Sequence, residues 1–189
     1  MLNKKGMTMI ELLGVITLLG IILIVAIPAF SKYGTKAKNQ SFDTMSKSIY
    51  EAGASKFMND GRVIDPCPVT GANNEEELIE LLKQPATNSE SGEVDKTHSV
   101  LSSQCKENVN FVSFNASNQL VAQGYLEPLV SPAKDGNLCD GYVDIFKVKF
   151  ADSSDLDMDY YYRVYISCPG GKESTAIYTS TNTKGSKNE

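Results

Sequence analysis

The chain holds one histidine, His98, in 189 residues. A metal site built on paired imidazoles is thereby excluded, and any Ser-His-Asp or Cys-His arrangement would hang on a single residue in a polar stretch. No enzymatic activity and no cofactor are expected. Basic charge is also scarce: 18 Lys and Arg stand against 23 Asp and Glu, for a net charge of −5 and a pI near 5.0. That sign is wrong for a protein that must displace phosphate counterions, so no nucleic acid is expected among its partners. The four cysteines form no CxxC pair. Gly170-Gly171 lacks the GxxxxGK(S/T) pattern and the following helix of a phosphate cradle, and reads as a turn. The length suits one domain with an extension.

What is present is unevenly placed. The hydrophobic fraction is 41%, with the longest apolar run inside the first 30 positions. From Met7 to Ala29 the only ionisable side chain is Glu11, and at 1.5 Å per residue a helix over this stretch spans about 35 Å, enough to cross a bilayer. A cleaved secretory signal would have a shorter apolar core, no carboxylate at its start and a small-residue cleavage site. Lys4 and Lys5 precede the run and, by the positive-inside rule, hold the amino terminus in the cytoplasm and send the bulk of the chain outward. Glu11 is the oddity. A carboxylate deep in a bilayer costs about 2.5 to 3.5 kcal/mol, which marks it as a functional residue. Lys4 and Lys5 are six or seven positions away, off the helical i,i+3 and i,i+4 spacings, so a counter-charge from another chain is expected.

These residues carry a family resemblance. Lys4-Lys5-Gly6-Met7-Thr8-Met9-Ile10-Glu11-Leu12-Leu13, followed by an apolar helix with Pro28 near its end, resembles the cleavage and methylation motif of type IV prepilins and type II secretion pseudopilins. Met7 departs from the Phe commonest there. The resemblance covers about residues 1 to 60. It implies that a prepilin peptidase cuts between Gly6 and Met7 and methylates the new Met7 amine. It further implies that a cytoplasmic ATPase and a platform protein extract the subunit from membrane lipid into a filament of itself and other pilins. Glu11, fifth in the mature chain, would neutralise the Met7 amine of a neighbour and so contribute to assembly. The expected location is a single-pass inner or cell membrane with an extracytoplasmic head, then an extracellular or periplasmic filament. Two other functions stay open: a pseudopilin of a secretion or DNA-uptake apparatus, and a membrane-anchored binding module that never polymerises.

Beyond Pro28, the apolar positions Phe42, Met45, Ile49, Ala52 and Phe57 recur mostly at three- and four-residue steps between charges, predicting an amphipathic continuation of the helix to Phe57 or Met58. Pro28 and Gly34 are candidate bends, and Asn59-Asp60-Gly61 is the stop. Glu75 to Lys83 reads as a short helix ended by Gln84-Pro85, and Ala86 to Ser103 as a surface loop. Strands are expected at Asn110–Asn115, Gln119–Leu126, Tyr142–Phe150, Tyr160–Cys168 and Thr175–Thr179. The predicted fold is α+β: a long amino-terminal helix packed on one face of an antiparallel sheet whose other face meets solvent. Its parts are a leader at 1–6, a membrane and filament-core helix at 7–29, its amphipathic continuation at 30–58, an extracytoplasmic head at 59–179 and a disordered tail at 180–189.

Cys67, Cys105, Cys139 and Cys168 lie in the exported part and read as disulfides. Three connectivities are open. Cys139 with Cys168, bracketing a strand hairpin, and Cys67 with Cys105 is the favoured one. Asp152, Asp155, Asp157 and Asp159 crowd one stretch with the DxDxD spacing that opens a calcium loop, but an EF-hand would need Gly where Tyr160 stands and Glu where Ile166 stands, so a solvated hairpin turn is expected, calcium stays the open alternative and no metal site is assigned. Tyr160, Tyr161 and Tyr162 read as alternate core and surface residues of a strand.

Overall fold

The structure is a computed structural model that describes residues 9–87, 92–132, 136–150, 159–180 and 186–187, leaving undescribed the side chains of 25, 28–32, 186 and 187. Helix α1 runs Met9–Asn59, and the chain divides within it into two units, Met1–Gln40 and Ser41–Glu189.

In the first unit α1 is apolar on every side from Met9 to Ile24 except at Glu11 and Thr17, and polar from Thr35 to Gln40 apart from Ala37. Large hydrophobic side chains from Met9 to Ile24 are exposed, Met9 at 92% and Ile24 at 75%. A helix without a polar face has no single stripe to bury against one partner. Among the described residues no helix is long and apolar enough to cross a membrane. The stretch with continuously described side chains, Met9 to Ile24, holds Glu11 and is shorter than the roughly 20 residues a span needs. The expected 7–29 span also takes in residues outside that description, and the leader with Gly6 and Met7 lies outside it altogether.

In the second unit α1 is amphipathic. Phe42, Met45, Ile49, Ala52 and Phe57 are buried on one face, and Asp60 and Gly61 end the helix, with Gly61 in the left-handed region at φ +60°. These side chains pack on a five-stranded antiparallel sheet of β3 (Phe111–Asn115), β4 (Asp140–Val148), β5 (Asp159–Cys168), β6 (Lys172–Thr179) and β7 (Ser186–Lys187), in that order. Val143 pairs with Val164 and Ile145 with Tyr162, so alternate residues of the central strands face α1. Gly53 and Gly141 permit the close approach: a Cβ on Gly53 would lie 2.5 Å from Val143 Cγ1, and one on Gly141 2.5 Å from the Tyr165 carbonyl oxygen.

The other face of the sheet is covered, which corrects the expectation that it meets solvent. Phe111, Phe146, Val148, Tyr161 and Ile177 pack under Leu78 and Leu82 of α2 (Glu75–Lys83) and Leu101 of α3 (Val100–Gln104). Leu78 and Leu82, one turn apart, give α2 a buried stripe, and Asn74 caps it by accepting from the Glu77 amide at 2.9 Å. The stretch read as a surface loop is also structured. It forms β1 (Pro85–Thr87), β2 (Val94–Ser99) and α3, where Ser99 and Ser102 exchange backbone and side-chain bonds in a capping box.

Two further expectations are corrected. Gln119–Leu126 is not a strand: Ala116–Val121 is a π-helical turn, because Asn115 accepts from the Asn118 amide at 2.7 Å while Gln119 accepts from the Asn115 amide at 2.7 Å. Residues 186–187, expected in a disordered tail, pair with Ala176 and Ile177. The disulfides join Cys67 to Cys105 and Cys139 to Cys168, closing separations of 38 and 29 residues. Loops of this size contribute roughly 3 to 4 kcal/mol each on the chain-entropy model.

Candidate functional site

The first candidate is the amino-terminal half of α1. Glu11 lies near the start of the described part of α1 and is exposed between Ile10, Leu12, Leu13 and Val15. The surface from Met9 to Ile27 therefore carries one acid in a field of large apolar side chains. Burying each such side chain is worth about 1.5 to 3 kcal/mol, so this surface favours lipid or other protein over water. Thr17 keeps even its hydroxyl inside the helix, donating to the carbonyls of Leu13 and Gly14 at 3.1 and 2.9 Å. Chemically the stretch can pack and position one negative charge; the residues of the expected cleavage site, Gly6 and Met7, lie outside the described residues.

The second candidate is an ionic cluster within the head. Asp144 on β4 and Arg163 on β5 are directly paired across the sheet and are 0% and 1% exposed. The Arg163 guanidinium donates to the carbonyls of Leu82 at 2.9 Å, Thr97 at 2.6 Å and Lys96 at 2.8 Å, and lies 3.6 Å from Asp144 Oδ2. His98 on β2 brings Nδ1 to 3.4 Å from the same oxygen. The Asp144 hydrogen bond raises the His98 pKa, against the effect of burial, while burial lowers that of Arg163 against the pull of Asp144. The cluster sews β1–β2 and the end of α2 to the sheet. Sequence reading missed it. The usable signal was one charge in each of two otherwise apolar runs, Tyr142–Phe146 and Tyr160–Cys168. His98, read as loop-borne, stands in a strand.

The remaining expected residues have structural positions. All four described cysteines are in disulfides, so none is a thiol nucleophile. Asp152, Asp155 and Asp157 lie outside the described residues, and Asp159 opens β5 and accepts from the Ser180 hydroxyl at 3.1 Å. Among the described residues no group of three or more His, Cys, Asp or Glu could hold a metal ion. Tyr161 and Tyr162 are both buried, on opposite faces of the sheet, and burial pushes both hydroxyls up to about 12. Asp140 keeps a carboxyl below its usual range despite burial, through hydrogen bonds from Asn115, Gly141 and Ser117.

Over 63 residues the chain is 36% identical to the type IV major pilin protein PilA of Myxococcus xanthus (strain DK1622), a match covering 33% of this chain. It spans 29% of that curated relative's length. No protein-family model matches the chain, and no solved structure matches it. The similarity supports the type IV pilin resemblance carried by the amino-terminal residues. The architecture, an amino-terminal helix followed by a carboxy-terminal antiparallel sheet, is consistent with a pilin fold.

Proposed function

We propose that this chain is a type IV pilin-like structural subunit, held in a membrane by its amino-terminal helix and then polymerised through that helix into an extracellular filament. The observation that carries the reading is the all-round exposure of large apolar side chains from Met9 to Ile24 around the single acid Glu11. Such a surface has two stable fates, a lipid phase or a bundle of its own copies, and the same side chains serve both. A carboxylate in an apolar bundle is costly alone and favourable when a fixed counter-charge meets it, so Glu11 rewards one axial register over others. The counter-charge in this reading is the Met7 amine of a neighbour, freed by a prepilin peptidase acting after Gly6. The platform protein and ATPase supply the extraction work. The role is structural rather than catalytic.

Mass spectrometry of chain sheared from cells with an active prepilin peptidase tests it. The expected product begins at an N-methylated Met7 and pellets as filaments, and Gly6 changed to a bulky residue leaves residues 1–6 attached. Recovery of unprocessed chain beginning at Met1, with none in the filament fraction, rejects the reading.

A further inference from the structure

The lysines after the apolar stretch and the acids beside a groove on the head are opposite in sign, and among the described residues the one ion pair in either set is the loose Glu51–Lys47 contact. In the sequence Lys32, Lys36 and Lys38 follow one another with no acid before Asp43. Lys36 and Lys38 are exposed, and among the described residues neither lies within ion-pair distance of a carboxylate. Tyr33, three residues before Lys36 and so on the same helical face, is 71% exposed. In the second unit a groove of about 520 Å³ opens between α1 and the segment after the π-helical turn. Its walls include Met45, Ala52, Tyr125 and Leu129, with the carboxylates of Glu51 and Glu127 and no basic side chain. Glu51 has only a loose partner, Lys47 at 3.7 Å with both side chains more than half exposed, and Glu127 has no described ion pair. Lys56, the nearest cation by sequence to Glu51 after Lys47, is buried and committed to Asp60 and Gln123.

Resting on the filament reading, we infer that the Tyr33–Lys36 face of one copy seats in the Glu51–Glu127 groove of another copy. The ring of Tyr33 meets the apolar wall, and Lys36, one turn further along the same face, meets the two carboxylates. A second copy is the occupant because the chain itself supplies an aromatic and a cation at one-turn spacing, opposite in sign to a groove that holds only acids. Pairing of this kind fixes register and orientation more than it adds affinity, and it weakens with salt. It would give assembly a second checkpoint besides Glu11, outside the apolar zone.

Charge reversal in the full chain, expressed in cells that assemble it, tests the contact. Glu51→Lys with Glu127→Lys, and separately Lys36→Glu, are each expected to lower sheared filament by about tenfold at unchanged subunit abundance and unchanged protease resistance of the head. The combined three-residue swap is expected to recover filament to within about threefold of wild type. Wild-type yield from either charge reversal, or no recovery in the combined swap, overturns the inference and leaves the filament reading standing. Loss of the lysine variant from the membrane fraction, with no rescue by the glutamate changes, would assign Lys36 to anionic lipid headgroups instead. Absence of filaments from the wild-type chain would remove the filament reading and this contact together.

Discussion

From Met9 to Ile27 helix α1 turns large apolar side chains outward in every direction, whereas from Phe42 to Phe57 the same helix hides its apolar residues on one face at three- and four-residue steps. The backbone is helical in both stretches. The difference lies in what each can bury within the chain: the second has a sheet face waiting for it, with Gly53 removing the one Cβ that would hold Val143 away. The first offers its side chains to an apolar surrounding that the chain itself does not provide. One half is a folding element and the other, on the proposed reading, an association element, and substitutions should sort accordingly.

The largest separation is expected at Glu11. If it pairs with the Met7 amine of a neighbour, Glu11→Ala strands a charge in the filament core at a cost of roughly 3 to 5 kcal/mol per contact, repeated at every subunit. In the free subunit the same change removes a carboxylate from the apolar helix and makes insertion equal or easier. Sheared fractions should contain little or no filament while membrane fractions hold normal amounts of cleaved subunit. Abundant filament from the mutant alone would dissolve the proposed division.

Arg163 should show the opposite pattern. Arg163→Met leaves Asp144 fully buried and without its cation, with Oδ1 already lacking a hydrogen-bond partner, and removes the donor to three carbonyls. A loss of about 3 to 5 kcal/mol follows, which lowers the melting midpoint of a domain this size by roughly 10 °C. Arg163→Met combined with Asp144→Asn should cost less than the two single changes added together, since the pair shares one interaction. Calorimetry on the three variants checks this; strict additivity would mean that the two residues act independently.

Much of this contrast is legible in the amino-acid sequence. The apolar run, Glu11, the alternation in Val143, Ile145 and Val164, and the three- and four-residue steps of α1 are all local patterns, and local patterns survive in sequence. The covered outer face of the sheet is not legible in the same way, because it depends on where Leu78, Leu82 and Leu101 land after two chain reversals. The π-helical turn at Ala116–Val121 escapes sequence reading for a related reason: Gln119 to Leu126 has a few β-favouring residues, but Asn115 and Asp140 bind the turn's amides from outside that window. The Asp144–Arg163 pair is legible only as an anomaly, a charge where an apolar residue is due.

Glycines provide a smaller but cleaner test of the two halves. A Cβ at Gly14 or Gly20 meets nothing within 4 Å, while one at Gly53 meets Val143. Gly53→Ala should therefore cost the head about 1 to 3 kcal/mol through overpacking, readable as a lower melting midpoint. Gly14→Ala should leave that midpoint unchanged and firm the helix by about 0.5 to 1 kcal/mol. If Gly14→Ala nevertheless reduces filament yield, helices approach one another closely at that position, as small residues allow in apolar bundles. Equal melting shifts for Gly14→Ala and Gly53→Ala would erase the distinction.

The smallest expected effect belongs to His98 and concerns the head alone. Its ring is held 3.4 Å from Asp144 Oδ2, with Asp95 adding attraction and Arg163 opposing it. The Asp144 hydrogen bond raises the folded-state pKa above the ordinary value of 6.5. A raised pKa means that the folded protein binds this proton more tightly than the unfolded chain does. Stability from protonated His98 is then fully present below about pH 6.5 and is lost as pH rises through the folded value. The contribution is modest, since the contact is long and the imidazole is 31% exposed. Melting midpoints of wild type and His98→Gln measured from pH 5 to pH 9 should differ most at the acid end and converge toward the alkaline end, with no matching change in filament yield from subunits already assembled. A gap that widens with rising pH would mean that neutral His98 is the stabilising form, and that Asp144 is held by Arg163 without help from the histidine.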